Sequence, residues 1–171
     1  KIYIFGKKYK MFKRKKSQRQ EIRNKARRNL NRKVSFKPET YVVDTSSIIN
    51  KFIPGLIKRG LKGKLIIPNA VMAELENLAN KSIESGFIGL EEIAKLHKFN
   101  QIKLHFQGLR PNEMQIKFAK SGEIDALIRE IARKNQATLI TSDLVQAKSS
   151  QAYGLKVLFL KSKTKPKKKS F

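Results

Sequence analysis

The sequence predicts an α/β protein: a three-layer α/β/α domain with a roughly five-stranded central parallel sheet over residues 41–160, flanked by basic N- and C-terminal extensions. Short apolar, β-branched runs alternate with stretches of helical periodicity, the pattern of strand–helix–strand units. Most of the runs are continuously apolar, as strands covered on both faces are. Charge also separates the middle from the ends. Lys and Arg number 39 against 13 Asp and Glu, a formal net charge of +26, and residues 1–40 hold 16 of those bases with two acids. Residues 161–171 hold six bases and no acid, so 20 of the 26 charges lie outside the middle.

In chain order, Tyr41-Val42-Val43 is the first strand. Asp44-Thr45-Ser46-Ser47 is a helix-capping cluster leading into a helix from Ile48 through Ile57. Lys64-Leu65-Ile66-Ile67 is the second strand, closed by Pro68. Asn69 then opens a helix with Val71, Met72, Leu75 and Leu78 at helical spacing. Gly86 and Gly89 punctuate the next helix, which runs on through Leu96. Ile102 to Phe106 alternates as a strand, with His105 on the face opposite its apolar residues. Helices follow at Asn112–Ala119 and Glu123–Lys134, then a strand at Thr138–Thr141, a helix at Leu144–Tyr153 and a last strand at Val157–Leu160.

The composition excludes several classes of function. A sequence pI near 10.5 does not suit an ordinary enzyme for small neutral substrates and fits a polyanionic partner. Cysteine is absent and there are two histidines, so disulfides, thiolate zinc sites, a Cys nucleophile and a His-rich metal site drop out. No apolar run approaches the ~18 residues of a membrane span. In residues 1–40, Lys13, Arg14, Lys15, Lys16, Arg19, Arg23, Arg27 and Arg28 form a cationic and partly helical segment that is marginal alone and orders along phosphates. Its apolar stripe of Ile22, Ala26 and Leu30 is too thin for a membrane surface. Lys167, Lys168 and Lys169 extend the same chemistry into the tail. Tyr3, Phe5, Tyr9 and Phe12 interleave with the first bases and suit either stacking on unpaired bases or an added strand.

Against this cationic background the acids stand out. The chain has three aspartates, Asp44, Asp125 and Asp143. Asp44 follows the first strand and Asp143 the fourth, at the carboxyl ends where parallel α/β sheets build their sites. Asp125 lies in the first turn of the helix before the fourth strand, and Glu74 lies on the helix after the second. Clustered carboxylates repel unless a cation joins them, and hard divalent ions such as Mg²⁺ or Mn²⁺ take such oxygen ligands. In a chain this basic, that points to phosphodiester hydrolysis. Each acid also has a purely structural reading: Asp44 and Asp143 as N-caps, Asp125 as a helix-dipole partner and Glu74 as a solvated helix residue.

Val42-Val43-Asp44-Thr45-Ser46, Ile67-Pro68-Asn69-Ala70-Val71-Met72-Ala73-Glu74-Leu75, Gly122-Glu123-Ile124-Asp125-Ala126 and Thr141-Ser142-Asp143 together resemble a PIN domain, a metal-dependent nuclease family. The resemblance covers residues 41–160. Glu74 to Lys81, Gly86 to Ile93, Lys120 to Ile128 and Thr141 to Ala147 are similar to the N-terminal PIN domain of archaeal proteins that continue into an ATPase and a KH domain. No phosphate-binding loop of the G-x-x-x-x-G-K-[ST] form is present, so the chain is expected to be the nuclease part of such a protein or a free-standing relative. The basic extension over residues 1–40 departs from the family pattern.

The resemblance implies that Asp44, Glu74, Asp125 and Asp143 are the catalytic and metal-binding set. Thr45 or Ser46 would support a bound water, and Thr141 or Ser142 would add hydroxyls at the same strand end. Glu123 is a supporting candidate, turned about 200° from Asp125 around the helix axis. The expectation is a cytoplasmic Mg²⁺- or Mn²⁺-dependent endoribonuclease acting on single-stranded RNA, with nucleic acid (RNA before DNA) and no membrane as partner, and with homo-oligomerisation. The alternative is a weakly catalytic or silent nucleic-acid-binding module of a larger ATPase.

Overall fold

The computed structural model describes residues 39–118 and 122–161. Residues 1–38 of the basic extension and all but the first residue of the tail lie outside these, and with them every cationic position singled out above; Glu39 and Thr40, counted with the extension from the sequence, belong instead to the first strand.

Five strands, β1 (Glu39–Val43), β2 (Gly63–Pro68), β3 (Ile102–Gln107), β4 (Thr138–Thr141) and β5 (Val157–Phe159), form one parallel sheet in the order β3-β2-β1-β4-β5. Among the described residues the helices are α1 (Thr45–Ile49), α2 (Phe52–Lys58), α3 (Asn69–Asn80), α4 (Glu84–Leu96), α5 (Glu113–Phe118), α6 (Glu123–Lys134) and α7 (Leu144–Ala152). The sheet is the expected one. Consecutive residues Leu65, Ile66 and Ile67 are all fully buried, as are Leu139 and Ile140, so both faces of the central strands are covered. Alternate side chains of a strand point to opposite faces, so such a run survives only between two helical layers.

The single helix expected from Ile48 through Ile57 is two. It breaks at Asn50-Lys51, where Lys51 takes a left-handed conformation at φ 57°. Pro54 supplies the reason: its ring clashes with the carbonyl four residues back, which is that of Asn50, and it cannot donate there. The proline is accommodated instead in the first turn of α2. The third strand differs at its far end. Ile102 is buried and Leu104 half-buried, but Phe106 on the same face is 46% exposed and stacks on His97, with ring centroids 6.4 Å apart. His105 is exposed, as its place on the strand suggested.

Helices α3 and α4 lie in unusually close contact. A Cβ added at Gly86 would overlap the backbone nitrogen of Ala79 and come within 2.7 Å of the Leu75 carbonyl oxygen. A glycine there lets the two backbones approach. The approach fixes α3, and α3 carries Glu74.

Candidate active site

In the strand order, chain progression reverses between β1 and its neighbour β4: β1 leads out to β2 on one side and β4 to β5 on the other. A crevice opens beyond the carboxyl ends at such a switch point. Val43 pairs with Ile140, and the Asp44 N–H donates to the Ile140 carbonyl at 3.0 Å. The residues leaving the two strands are therefore brought side by side.

Asp44, Glu74, Asp125 and Asp143 line one cavity of about 430 Å³ at this crevice, with Thr45, Ser46, Ile49, Ile116, Gly122 and Ile124. They arrive from four places: the end of β1, the middle of α3, the first turn of α6 and the N-cap of α7. The four residues predicted as a set are thus neighbours around one space.

Their hydrogen bonds distinguish them. Asp44 occupies the N-cap position of α1 but makes no side-chain cap bond. Its Oδ2 instead accepts from the Ser46 hydroxyl at 2.5 Å and from the Thr141 hydroxyl at 2.7 Å. Each hydroxyl is held in turn, since Ser46 Oγ accepts the Ser142 N–H at 2.9 Å and Thr141 Oγ1 the Asp143 N–H at 3.0 Å. Both donors converge on one oxygen, so Oδ1 is the oxygen Asp44 has to offer a ligand. Thr45 donates to Glu74 Oε2 at 2.5 Å, tying the start of α1 to α3. Asp143 does cap its helix: Oδ1 accepts from the N–H groups of Val145 at 2.6 Å and Gln146 at 3.0 Å.

The electrostatics carry the mark of crowded like charge. Burial raises the Glu74 carboxyl above the ordinary range; the Thr45 hydrogen bond opposes this, and the charges of Asp44 and Asp125 add to it. Asp125 is raised by burial and then by Asp44 and Asp143, with Arg129 opposing. Among the described residues no three His, Cys, Asp or Glu side chains converge closely enough, as they stand, to enclose an ion. The donor chemistry does fit one, because the polar wall offers carboxylate and hydroxyl oxygens alone, the set that suits Mg²⁺ or Mn²⁺.

Two of the supporting candidates lie apart from the four carboxylates. The Ser142 hydroxyl accepts from Asn50 Nδ2 at 3.0 Å and so turns to α1 rather than to the carboxylates. Glu123 does not border the carboxylate cavity; it lines a neighbouring one on the other side of the α6 N-terminus. Helical geometry separates it from Asp125, as the spacing indicated.

The sequence reading missed Gln146 and Arg129. Gln146 is fully buried; its Oε1 accepts from Arg129 Nη1 at 2.9 Å and its Nε2 donates to the Asp125 carbonyl at 3.4 Å. Its own N–H meets Asp143, so one side chain and its backbone touch two of the four acidic residues. Arg129 also lies over the Tyr153 ring, 5.5 Å from its centroid. The available signals were spacing alone: Gln146 three residues after Asp143, and Arg129 four after Asp125.

The PIN domain family matches residues 41–150, and the chain belongs to it. PIN domains are generally metal-dependent nucleases that use divalent ions such as Mg²⁺ or Mn²⁺. The uncharacterized KH and PIN-domain containing protein MJ1533 of Methanocaldococcus jannaschii is 43% identical over 125 residues, 70% of this chain and 20% of that protein. This chain therefore spans about a fifth of that relative's length. A solved domain of a functionally unknown protein from the same organism matches with a TM-score of 0.70 and 38% identity, covering 78% of this chain and 99% of the domain. No helix among the described residues is long and apolar enough to cross a membrane.

Proposed function

We propose that the chain is a metal-dependent endoribonuclease that hydrolyses phosphodiester bonds in single-stranded RNA. The observation that carries this reading is the meeting of four acidic residues from four elements around one cavity at the sheet's switch point. Asp44, Glu74, Asp125 and Asp143 would hold one or two Mg²⁺ or Mn²⁺ ions. When bound, such an ion neutralises charge at the phosphate and activates water for attack on phosphorus. Ser46 and Thr141 orient Asp44, and Thr45 orients Glu74. Ile49, Ile116 and Ile124 give the cavity an apolar wall that limits water. The cationic residues of segments 1–40 and 161–171 hold the strand through its phosphates, around a nuclease domain at residues 41–160.

A KH module beside the PIN domain in the M. jannaschii relative supports RNA as the partner, since KH modules clamp single-stranded nucleic acid. A cytoplasmic setting, homo-oligomerisation and a longer parent carrying ATPase and KH domains belong to the same proposal. A second reading, a binding module with a silent site, draws on the absence of any converged group of three ligands among the described residues.

Labelled single-stranded RNA and DNA, incubated with Mn²⁺, Mg²⁺ or EDTA beside an Asp44→Asn variant, separates the readings. The expected outcome is internal cleavage of RNA with metal, abolished by EDTA and reduced at least about 100-fold by the substitution. Cleavage that survives both treatments would sink the catalytic reading. No cleavage, with binding that falls steeply with salt and weakens when residues 1–40 are deleted, would favour the silent module.

A further inference from the structure

The first turn of α6 divides two cavities. On one side are the carboxylates; on the other is a cleft of about 600 Å³ lined by Leu109, Arg110, Pro111, Gln115, Glu123, Ile124, Ala126 and Leu127. Ile124 borders both, so the two spaces adjoin at a single side chain. The cleft has the size and make-up of a small-ligand pocket, with mainly apolar walls and a few polar groups.

Two of those polar groups are engaged. The Arg110 guanidinium is paired with Glu76, and Gln115 Oε1 accepts the Asn112 N–H at 2.8 Å. The Glu123 carboxylate has no hydrogen bond or ion pair among the described residues. A carboxylate next to the proposed path of a polyanion is repelled by phosphate and accepts from ribose 2′-hydroxyls or from N–H groups, and of these donors only the N–H groups differ from one base to another. In a single strand such groups lie on base edges, which are exposed there, while base faces seek apolar or aromatic surface. Leu109 supplies such a surface, being 75% exposed at the cleft. Guanine is the base whose Watson–Crick edge offers two adjacent donors, N1–H and the N2 amino group, to one carboxylate. Adenine and cytosine offer an amino group beside an acceptor, and uracil one N–H between two carbonyls.

We infer that this cleft receives one unpaired guanine from the strand whose backbone passes the carboxylate cavity, its faces against Leu109 and Leu127 and its N1–H and N2 amino group donating to Glu123. This rests on the reading of single-stranded RNA as the substrate. The cleft would make Glu123 a specificity residue rather than a fifth member of the metal site.

The test is a binding measurement in EDTA, so that it does not depend on cleavage. Fluorescence anisotropy follows labelled hexauridine, the same hexamer with one central guanosine, and the same with inosine, which lacks the N2 amino group. Salt is held high enough to suppress the phosphate contribution. The guanosine hexamer is expected to bind about tenfold more tightly than hexauridine, with inosine between them. Glu123→Gln should bring guanosine down to the hexauridine level. Equal binding of the three, a preference that survives Glu123→Gln, or tighter binding when adenosine replaces guanosine would each overturn the inference. Cleavage of the same hexamers with Mn²⁺ keeps the two readings apart. A guanosine preference without cleavage overturns the nuclease reading alone, and cleavage without preference overturns the cleft alone.

Discussion

The Thr141 hydroxyl, at the last residue of β4, donates a 2.7 Å hydrogen bond to Oδ2 of Asp44, the first residue beyond β1. Thr141 is fully buried and cannot itself meet a substrate. Its contribution is to fix which oxygen of Asp44 is left free. Thr141→Val keeps the shape and removes the donor. Cleavage and Mn²⁺ affinity should fall about 10- to 100-fold, as when other residues supporting a metal ligand are lost. Metal titration of the activity checks this, with circular dichroism to confirm that the sheet survives.

Gln146 links α6 to α7 through Arg129 and the Asp125 carbonyl. Gln146→Leu leaves the Arg129 guanidinium short of an acceptor in a half-buried position. A stability loss of about 1–3 kcal/mol is expected in urea unfolding, the usual cost of stranding a buried polar partner. Activity should fall in the folded protein as well, because the same contact positions Asp125. A variant with full activity and lowered stability would confine Gln146 to a structural role.

The raised carboxyls of Glu74 and Asp125 make the metal-free protein sensitive to pH. Burial, followed by neighbouring carboxylates, moves both above their ordinary values of 4.5 and 3.8. The folded state therefore binds protons more tightly than the unfolded state. Their stabilising contribution is complete below the ordinary values and is lost as pH rises through the raised folded ones. Thermal unfolding in EDTA should show a falling midpoint from about pH 4.5 upward, with a shallower fall in Glu74→Gln. Mg²⁺ should restore the midpoint on the alkaline side, where it binds the ionised folded site.

At Gly86, α3 and α4 nearly touch. Gly86→Ala places a methyl group against the Ala79 and Leu75 backbones, which cannot rotate aside as a side chain can. Overpacking of this kind costs about 1–3 kcal/mol. Because α3 carries Glu74, metal affinity should drop along with stability. Gly55→Ala is the control: a Cβ there meets nothing within 4 Å, and its effect should be small.

Much of this was legible in the sequence because the chain signals its strand ends sharply. Val43 before Asp44, and Ile140-Thr141 before Asp143, are apolar runs broken by acids, and such breaks mark carboxyl ends in a buried parallel sheet. Glu74 is placed by lying on the helix that follows the second strand, the next element to leave the same end of the sheet. What was not legible depends on partners distant in the chain. The break at Asn50-Lys51 follows from Pro54, whose clash reaches four residues back into an apolar stretch that otherwise reads as one helix. Gln146 reads as a solvent-facing helix residue, since only the fold reveals that Arg129 and Asp125 enclose it. Ser142 and Thr141 are equivalent on paper, and the pleat alone decides that Thr141 faces Asp44.

The bond between Thr141 and Asp44 spans 97 positions of chain, and that between Thr45 and Glu74 spans 29. No short fragment can hold both. Long-range parallel pairing forms slowly and needs both strands present, so the site comes together only when nearly the whole domain has been synthesised and has folded. The spacing of its acids along the chain thus makes the carboxylate cavity a property of the whole folded domain and of no part of it.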